Sequence, residues 1–354
     1  MTTTTHVVKL TTPEDVICSL PAIVGFHPSE SMVVMCMRGE RKRQDLTLRY
    51  DLPPTPEDEP GLAVDVAARA VARDACGVMV VCFTEAPDSE GELPRQALVD
   101  NTIRELGRYG IGYLHLLLVR AGRWWSYDRD DINPVDGTPL PDELTGPAAE
   151  VEALTALCGR VVRPDRQHLE QSVKGPVALR EVDLDQRYRE AVKMFADELE
   201  ADGIDGARAR TLELTDTLLQ RFESGRTDLD DAEACRALVG FTDVLARDAV
   251  IGWGADDDDR RALLALLTAL AQRALDDDAA PICAMLASVA YLDGDGALGN
   301  VAVERSLRSD PGYSLARLIE TALQSPVDPR QFGKVYGEAM RDHARPSRRE
   351  RRDG

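Results

Sequence analysis

GFHPSESMVVMCMRG, residues 25–39, contains the stretch that decides the fold. Its core, SMVVMCM at 31–37, carries no charge and is apolar after the leading serine, which suits a strand buried on both faces. RGERKRQ at 38–44 breaks that run. From 45 to 52 the chain alternates, with Leu46, Leu48, Tyr50 and Leu52 on one face and Asp45, Thr47, Arg49 and Asp51 on the other. That pattern predicts a half-buried strand, the second arm of a hairpin.

Working outward, the pattern turns to α/β. PPTPEDEPG at 53–61 reads as a loop, and LAVDVAARAVARD at 62–74 as a helix. VMVVCF at 78–83 is a second buried strand, 94–108 a helix, and YLHLLLV at 113–119 a third strand. RAGRWWSYD then turns back as another hairpin arm, and a helix at 147–158 closes the unit. Strands at 45–52, 78–83 and 113–119 joined through helices must run the same way, with right-handed crossovers. The hairpin makes 31–37 antiparallel to all three. The expected fold is an α/β N-terminal domain over 1–165: a mixed, mostly parallel sheet with two antiparallel hairpin arms.

Pro164, Gly175 and Pro176 mark a boundary, and 166–185 reads as a linker. Beyond it an all-α helical array is expected over 186–344. Tyr188, Val192, Phe195 and Leu199 share one helical face, and Leu212, Thr215, Leu218, Leu219 and Phe222 another. Pro281 can open a helix, and Gly294 and Gly296 can close it. Ala287, Gly299, Ser306 and Pro311 give this region a weakly tetratricopeptide-like pattern, with one unit visible.

The chain has 354 residues, 62 acidic and 42 basic, for a formal net charge of −20. Such a field repels phosphate backbones and anionic lipid, so no general nucleic-acid binding is expected. The last ten residues, 345–354, carry five Arg against Glu350 and Asp353, a net +3 that leaves −23 on the rest; they read as a disordered basic tail. Seven cysteines at irregular spacing without a CxxC read as reduced thiols, most of them buried. MTTTTHVVKL lacks the features of a secretory signal, and no apolar window reaches a membrane span. The expectation is a cytoplasmic protein.

Familiar catalytic and cofactor motifs are missing: no GxxxxGK[ST], GxGxxG after a strand, HExxH or GxSxG occurs. DGDGALGNVAVE at 293–304 imitates a calcium loop through Asp293, Asp295 and Glu304. However, Ala297 stands where an oxygen ligand belongs and Leu298 where the turn needs glycine. Asp295 is better explained as a helix cap. Asp256 to Asp259 suit a solvated helix start. No cofactor and no metal are expected. Trp124 and Trp125, adjacent on a strand, should face opposite sides of the sheet.

The topology places the start of the 31–37 strand at the carboxyl edge of the parallel strands, where open α/β sheets bind ligands. GFHPSE (25–30), the loop after Asp51, TEAPDSEG (84–91) and RAGRW (120–124) gather there. The candidate ligand-binding residues are His27, Ser29, Glu30, Thr84, Glu85, Arg120, Arg123 and Trp124. Arg120 and Arg123 would hold an anion, and Glu85 or His27 would move a proton. The same residues also fit plain architecture: Gly25 at a positive φ, Pro28 in a turn, Phe26 plugging the core, and Ser31 tying the loop backbone.

SLPAIVGFHPSESMVV, LRYDLP at 48–53 and AYLDGDGALGNVAVERSLRSDPGYSLARLIE at 290–320 are similar to an actinobacterial family, domain-of-unknown-function family 4192. Met32 stands where that pattern has leucine, a change that affects packing only. The resemblance implies a soluble actinobacterial protein of this architecture and implies no reaction. Function is therefore read as that of a ligand-binding or protein-interaction (adaptor) protein. An enzyme, a hydrolase or transferase acting on a small anionic metabolite at the rim, is the alternative; a structural subunit of a larger complex is the third.

Overall fold

The computed structural model describes residues 7–88, 91–128, 133–157, 159–255, 257–324 and 329–339. It divides into two compact units, Met1–Arg166 and Gln167–Gly354. The basic tail at 345–354, Asp256 and Cys158 lie outside the described residues.

The first unit opens with α1, Pro13–Val24. Thr12 caps it: its hydroxyl accepts from Asp15 N–H, while Asp15 accepts in return from Thr12 N–H. The helix ends at Gly25, φ 90°, whose N–H donates to Pro21 O at 2.8 Å. A Cβ there is strained, so Gly25→Ala is expected to cost about 1 kcal/mol. Chemical denaturation would read it, and an unchanged midpoint would refute it.

Among the described residues six strands follow: β1 Ser31–Arg38, β2 Arg43–Asp51, β3 Gly77–Phe83, β4 Gly112–Arg120, β5 Arg123–Ser126 and β6 Thr138–Pro139. Helices α2 (Glu59–Ala72) and α3 (Gln96–Gly107) form the crossovers, and α4 is Gly146–Leu157. They make one mixed sheet in the order β2-β1-β3-β4-β5-β6. Strands β2, β3 and β4 share a direction, as the crossovers require, and β1 and β5 oppose them. Among the described strands only β3 and β4 are parallel neighbours, because β1 lies between β2 and β3 and is antiparallel to both. The reason is burial. β1 is buried on both faces through Met37, so it needs a neighbour on each side, while β2 is half-buried and takes the edge.

One sheet face packs Met32, Val34, Val80 and Leu118 against Val66, Ala70, Leu98 and Leu106 of α2 and α3. The other packs Val33, Met35, Val81 and Trp124 against Val16, Ile17 and Leu20 of α1. Trp124 and Trp125 do face opposite sides. Burial pushes the Cys36 thiol up to about 11 and the Cys82 thiol up to about 12. Cys76 departs from the buried reading, since it is exposed.

The second unit is helical among its described residues. Much of the stretch read as a linker is helix: α5 is Arg166–Ser172, and α6 runs Ala178–Glu223 with a break at Gly203, φ 69°. Then come α7 Asp231–Gly240, α8 Val244–Trp253, α9 Asp257–Ala271, α10 Ala280–Leu292, α11 Gly296–Ser309, α12 Ser314–Gln324 and α13 Pro329–Ala339. Gly296 opens α11 instead of closing α10, and Asp295 caps it, accepting from Leu298 N–H at 3.0 Å. No cluster of metal-ligating side chains occurs among the described residues.

Asp231, at the start of α7, accepts from Arg180 at 2.8 Å and from Arg273 at 2.9 Å. Burial pushes its carboxyl up, but the two guanidinium groups outweigh that and hold it below its ordinary value. A lowered folded-state pKa adds stability that is fully present above the unfolded value, about 3.9, and is lost as pH falls through the folded one. Below about pH 4 the wild type should therefore lose stability more steeply than Asp231→Asn. Urea midpoints at pH 5 and pH 3 test this; parallel losses would contradict it.

Candidate functional site

The antiparallel entry of β1 brings its first residue to the carboxyl ends of β3 and β4. The register places Ser31 beside Phe83, and Phe83 beside Val119. The loops before β1, after β3 and after β4 therefore share one rim.

Glu30 joins two of them. It sits at φ 39°. Its carboxylate accepts from Thr84 Oγ1 at 2.9 Å and from Glu85 N–H at 2.9 Å, and its carbonyl accepts from Leu52 N–H at 3.0 Å. Thr84 is buried. Glu85 extends the chain of bonds, accepting from Ala121 N–H at 3.1 Å. Ala121 is also left-handed, φ 48°. Arg120 stacks over Trp125 at 4.8 Å and donates to Ala86 O at 2.9 Å and Asp88 at 2.7 Å.

Glu30, Thr84, Glu85 and Arg120 thus come together, as the topology predicts, but as a frame that holds backbone. Arg123 does not join Arg120 in an anion site. Its Nε donates to Asp136 O at 2.6 Å, because the short β5–β6 pairing draws that loop over it. Trp124 lines no open surface, being 4 % exposed within the α1-side core. Its Nε1 is buried without a hydrogen-bond partner. Ser31 Oγ is likewise buried and unpartnered, so it does not tie the loop. His27 and Ser29 are exposed. The loop is held through main chain: His27 N–H donates to Arg163 O at 3.1 Å, and Arg163 N–H to Gly25 O at 2.8 Å. Arg49 stacks over buried Phe26 at 5.8 Å.

Two participants escape sequence reasoning. Asp88, partner of Arg120, sits in a loop without a pattern. Arg163 pairs with the rim from a stretch that reads as a boundary. An open depression of about 560 Å³ lies at the opposite end of the sheet, lined by Arg38, Gly39, Glu40, Lys42, Asp74 and Cys76. It is shallow and remote from the rim loops, and no candidate residue lines it.

Together these features define a two-unit chain: a mixed α/β sheet whose rim is tied by its own carboxylates, and a helical unit. The chain belongs to the family described as Domain of unknown function (DUF4192), whose model matches residues 13–330. No curated protein and no solved structure matches it. No helix among the described residues is long and apolar enough to cross a membrane.

Proposed function

We propose that this chain is a recognition protein that binds a small molecule or a protein segment at the carboxyl rim of its sheet. The observation that carries this reading is the double engagement of Glu30 with Thr84 and the Glu85 N–H. With Glu85 on Ala121 and Arg120 on Asp88, it fixes three loops in one geometry before any ligand arrives. Preorganisation of this kind lowers the ordering cost of binding. Left-handed non-glycine residues such as Glu30 and Ala121 persist where the surroundings over-determine them, and such positions cluster at functional sites. The Glu30 and Glu85 carboxylates are engaged with backbone N–H groups, which favours recognition over the hydrolase or transferase alternative. Exposed His27 and Ser29 are the side chains the frame presents.

The test is a thermal-shift screen against nucleotides, phosphorylated metabolites, amino acids and short peptides. Wild type is run beside His27→Ala and Ser29→Ala. A ligand at 100 times its dissociation constant adds about 2.7 kcal/mol, a readable shift. The expected result is a hit that weakens in His27→Ala while the unliganded midpoint stays put. A hit indifferent to both substitutions would put the site elsewhere. Chemical turnover of the hit would replace recognition with catalysis.

A further inference from the structure

Donors outnumber acceptors at one corner of the rim, on the α1 side of the sheet. Phe26 is the centre of that corner. The Arg49 guanidinium lies over its ring at 5.8 Å. An isolated parallel bridge sets Arg163 beside the same residue. Ser31 belongs here too. The β1–β2 register pairs Val33 with Arg49 and Ser31 with Asp51, so Ser31 and Arg49 are diagonal neighbours on the face that Val33 turns to α1.

Each of these three polar residues has an unmet donor. Arg49 Nε is buried without a hydrogen-bond partner, and Nη2 reaches Ser29 O only at 3.5 Å. Ser31 is wholly buried, and its Oγ is unpartnered. Arg163 is half-buried, and no hydrogen bond or ion pair engages its guanidinium among the described residues. Acidic residues outnumber basic ones in this chain by 62 to 42, so a shielded arginine without an acid needs a reason. The nearby acids do not supply one. Glu30 turns its carboxylate to Thr84 and the Glu85 N–H. Asp51 meets Arg49 Nη1 at 2.7 Å, but it is 76 % exposed, and solvent screens that pair.

We infer that this corner holds an oxyanion, the phosphate or carboxylate group of a small metabolite, between Arg49 and Arg163 over the Phe26 ring. This rests on the rim reading above and adds the chemical class of the ligand. A guanidinium offers donors and no acceptor, in a fork that matches two oxygens of a phosphate or carboxylate. Shielded donors without acceptors are costly, and a charged, acceptor-rich group answers both the hydrogen-bond and the charge imbalance. Exposed His27, next in the chain to Phe26, borders the same corner.

Titration calorimetry on the full chain at low ionic strength tests this, with pyrophosphate and succinate as probes. The variants are Arg49→Gln, Arg163→Gln and Asp51→Asn. Lys42→Gln, at the opposite end of the sheet, removes one positive charge away from the corner. Far-UV circular dichroism checks folding. Arg163→Gln breaks no side-chain bond among the described residues, so it carries the test if Arg49→Gln fails to fold. At least one probe should bind, more weakly as salt is added. Each arginine variant should lose about tenfold or more in affinity, the effect of one hydrogen bond to a charged group. Asp51→Asn should tighten binding by freeing Nη1, and Lys42→Gln should match the wild type. If neither probe binds, the inference falls; a neutral rim ligand that depends on His27 would then leave the rim reading standing. Binding that ignores both arginine variants, or that falls equally in Lys42→Gln, overturns it as well. Binding lost in the arginine variants but unchanged in His27→Ala supports the oxyanion site and removes His27 from the contact.

Discussion

Arg305→Ala is expected to lower the stability of the helical unit by about 3 kcal/mol, the upper end of the range for leaving buried hydrogen-bond acceptors without their charged donor. Arg305 lies on α11 and is 5 % exposed. Nη1 donates to Val173 O and to Ala271 O, each at 2.6 Å, and Nη2 donates to Ala274 O at 2.8 Å. Ala271 ends α9 and Ala274 follows it, so the guanidinium sits at the negative end of that helix's dipole, sharing Ala271 O with Ala274 N–H and satisfying Ala274 O. The same group fastens the chain just after α5. Its contact with Asp276 at 3.3 Å adds little, because that carboxylate is 86 % exposed. Alanine would strand the carbonyls of Val173 and Ala274, while Ala271 O keeps its bond from Ala274 N–H at 3.2 Å. Lysine should recover only part of the loss, since one ammonium cannot reproduce the planar fork. A Cβ added at Gly175 would come within 2.6 Å of Nη2 and 3.0 Å of Ala274 O, so Gly175→Ala should destabilise through the same site. Urea unfolding with an unchanged m-value is the measurement. A loss below about 1 kcal/mol in Arg305→Ala would show that the carbonyls find other partners.

None of this network is visible in the sequence. Arg305 sits in VERSLRS, an ordinary amphipathic pattern, and its three acceptors come from segments far along the chain. The strands were legible for the opposite reason. SMVVMCM and VMVVCF are local runs, and the alternation at 45–52 shows its solvated face residue by residue. The helix-linked connections gave strand direction correctly. They did not give neighbours, and the insertion of β1 between β2 and β3 follows from a signal that was present: a strand apolar on both faces belongs inside a sheet, and one charged on a face belongs at its edge. Helix α1 has no counterpart among the elements expected from sequence: Thr12, Pro13 and Asp15 carry its start signal, but Pro21 interrupts the pattern. At the rim, topology placed four of the eight candidates together. It could not foresee that Glu30 and Glu85 would turn to backbone N–H groups, or that Arg123 would be drawn to Asp136. Those choices depend on loop conformations set by Glu30 at φ 39° and by the Ala121–Gly122 turn, and of these the sequence marks only the turn, through Gly122.

That frame leads to the second large effect. Glu30→Ala should cost about 2 kcal/mol, within the range for charge-assisted hydrogen bonds, with partial exposure of the carboxylate holding it below the upper end. Two donors lose their acceptor together, and one of them, Thr84, is buried. The backbone at residue 30 stays left-handed in the alanine variant, so that conformational cost is retained. Glu30→Gly should therefore lose less, by about 1 kcal/mol, because glycine adopts that φ without penalty. A double-mutant cycle with Thr84→Val separates the contact from the loop. Coupling of at least about 0.5 kcal/mol is expected between residues that touch, and additive losses would mean the bond contributes nothing. His27→Ala, by contrast, should change stability by less than about 0.5 kcal/mol, as an exposed side chain does. The pair of variants divides the rim into frame and face. If Glu30→Ala also weakens a ligand that contacts His27, the loss travels through loop order, because Glu30 has its carboxylate committed to Thr84 and Glu85. If stability falls and affinity holds, the frame supports the fold alone and recognition uses another surface.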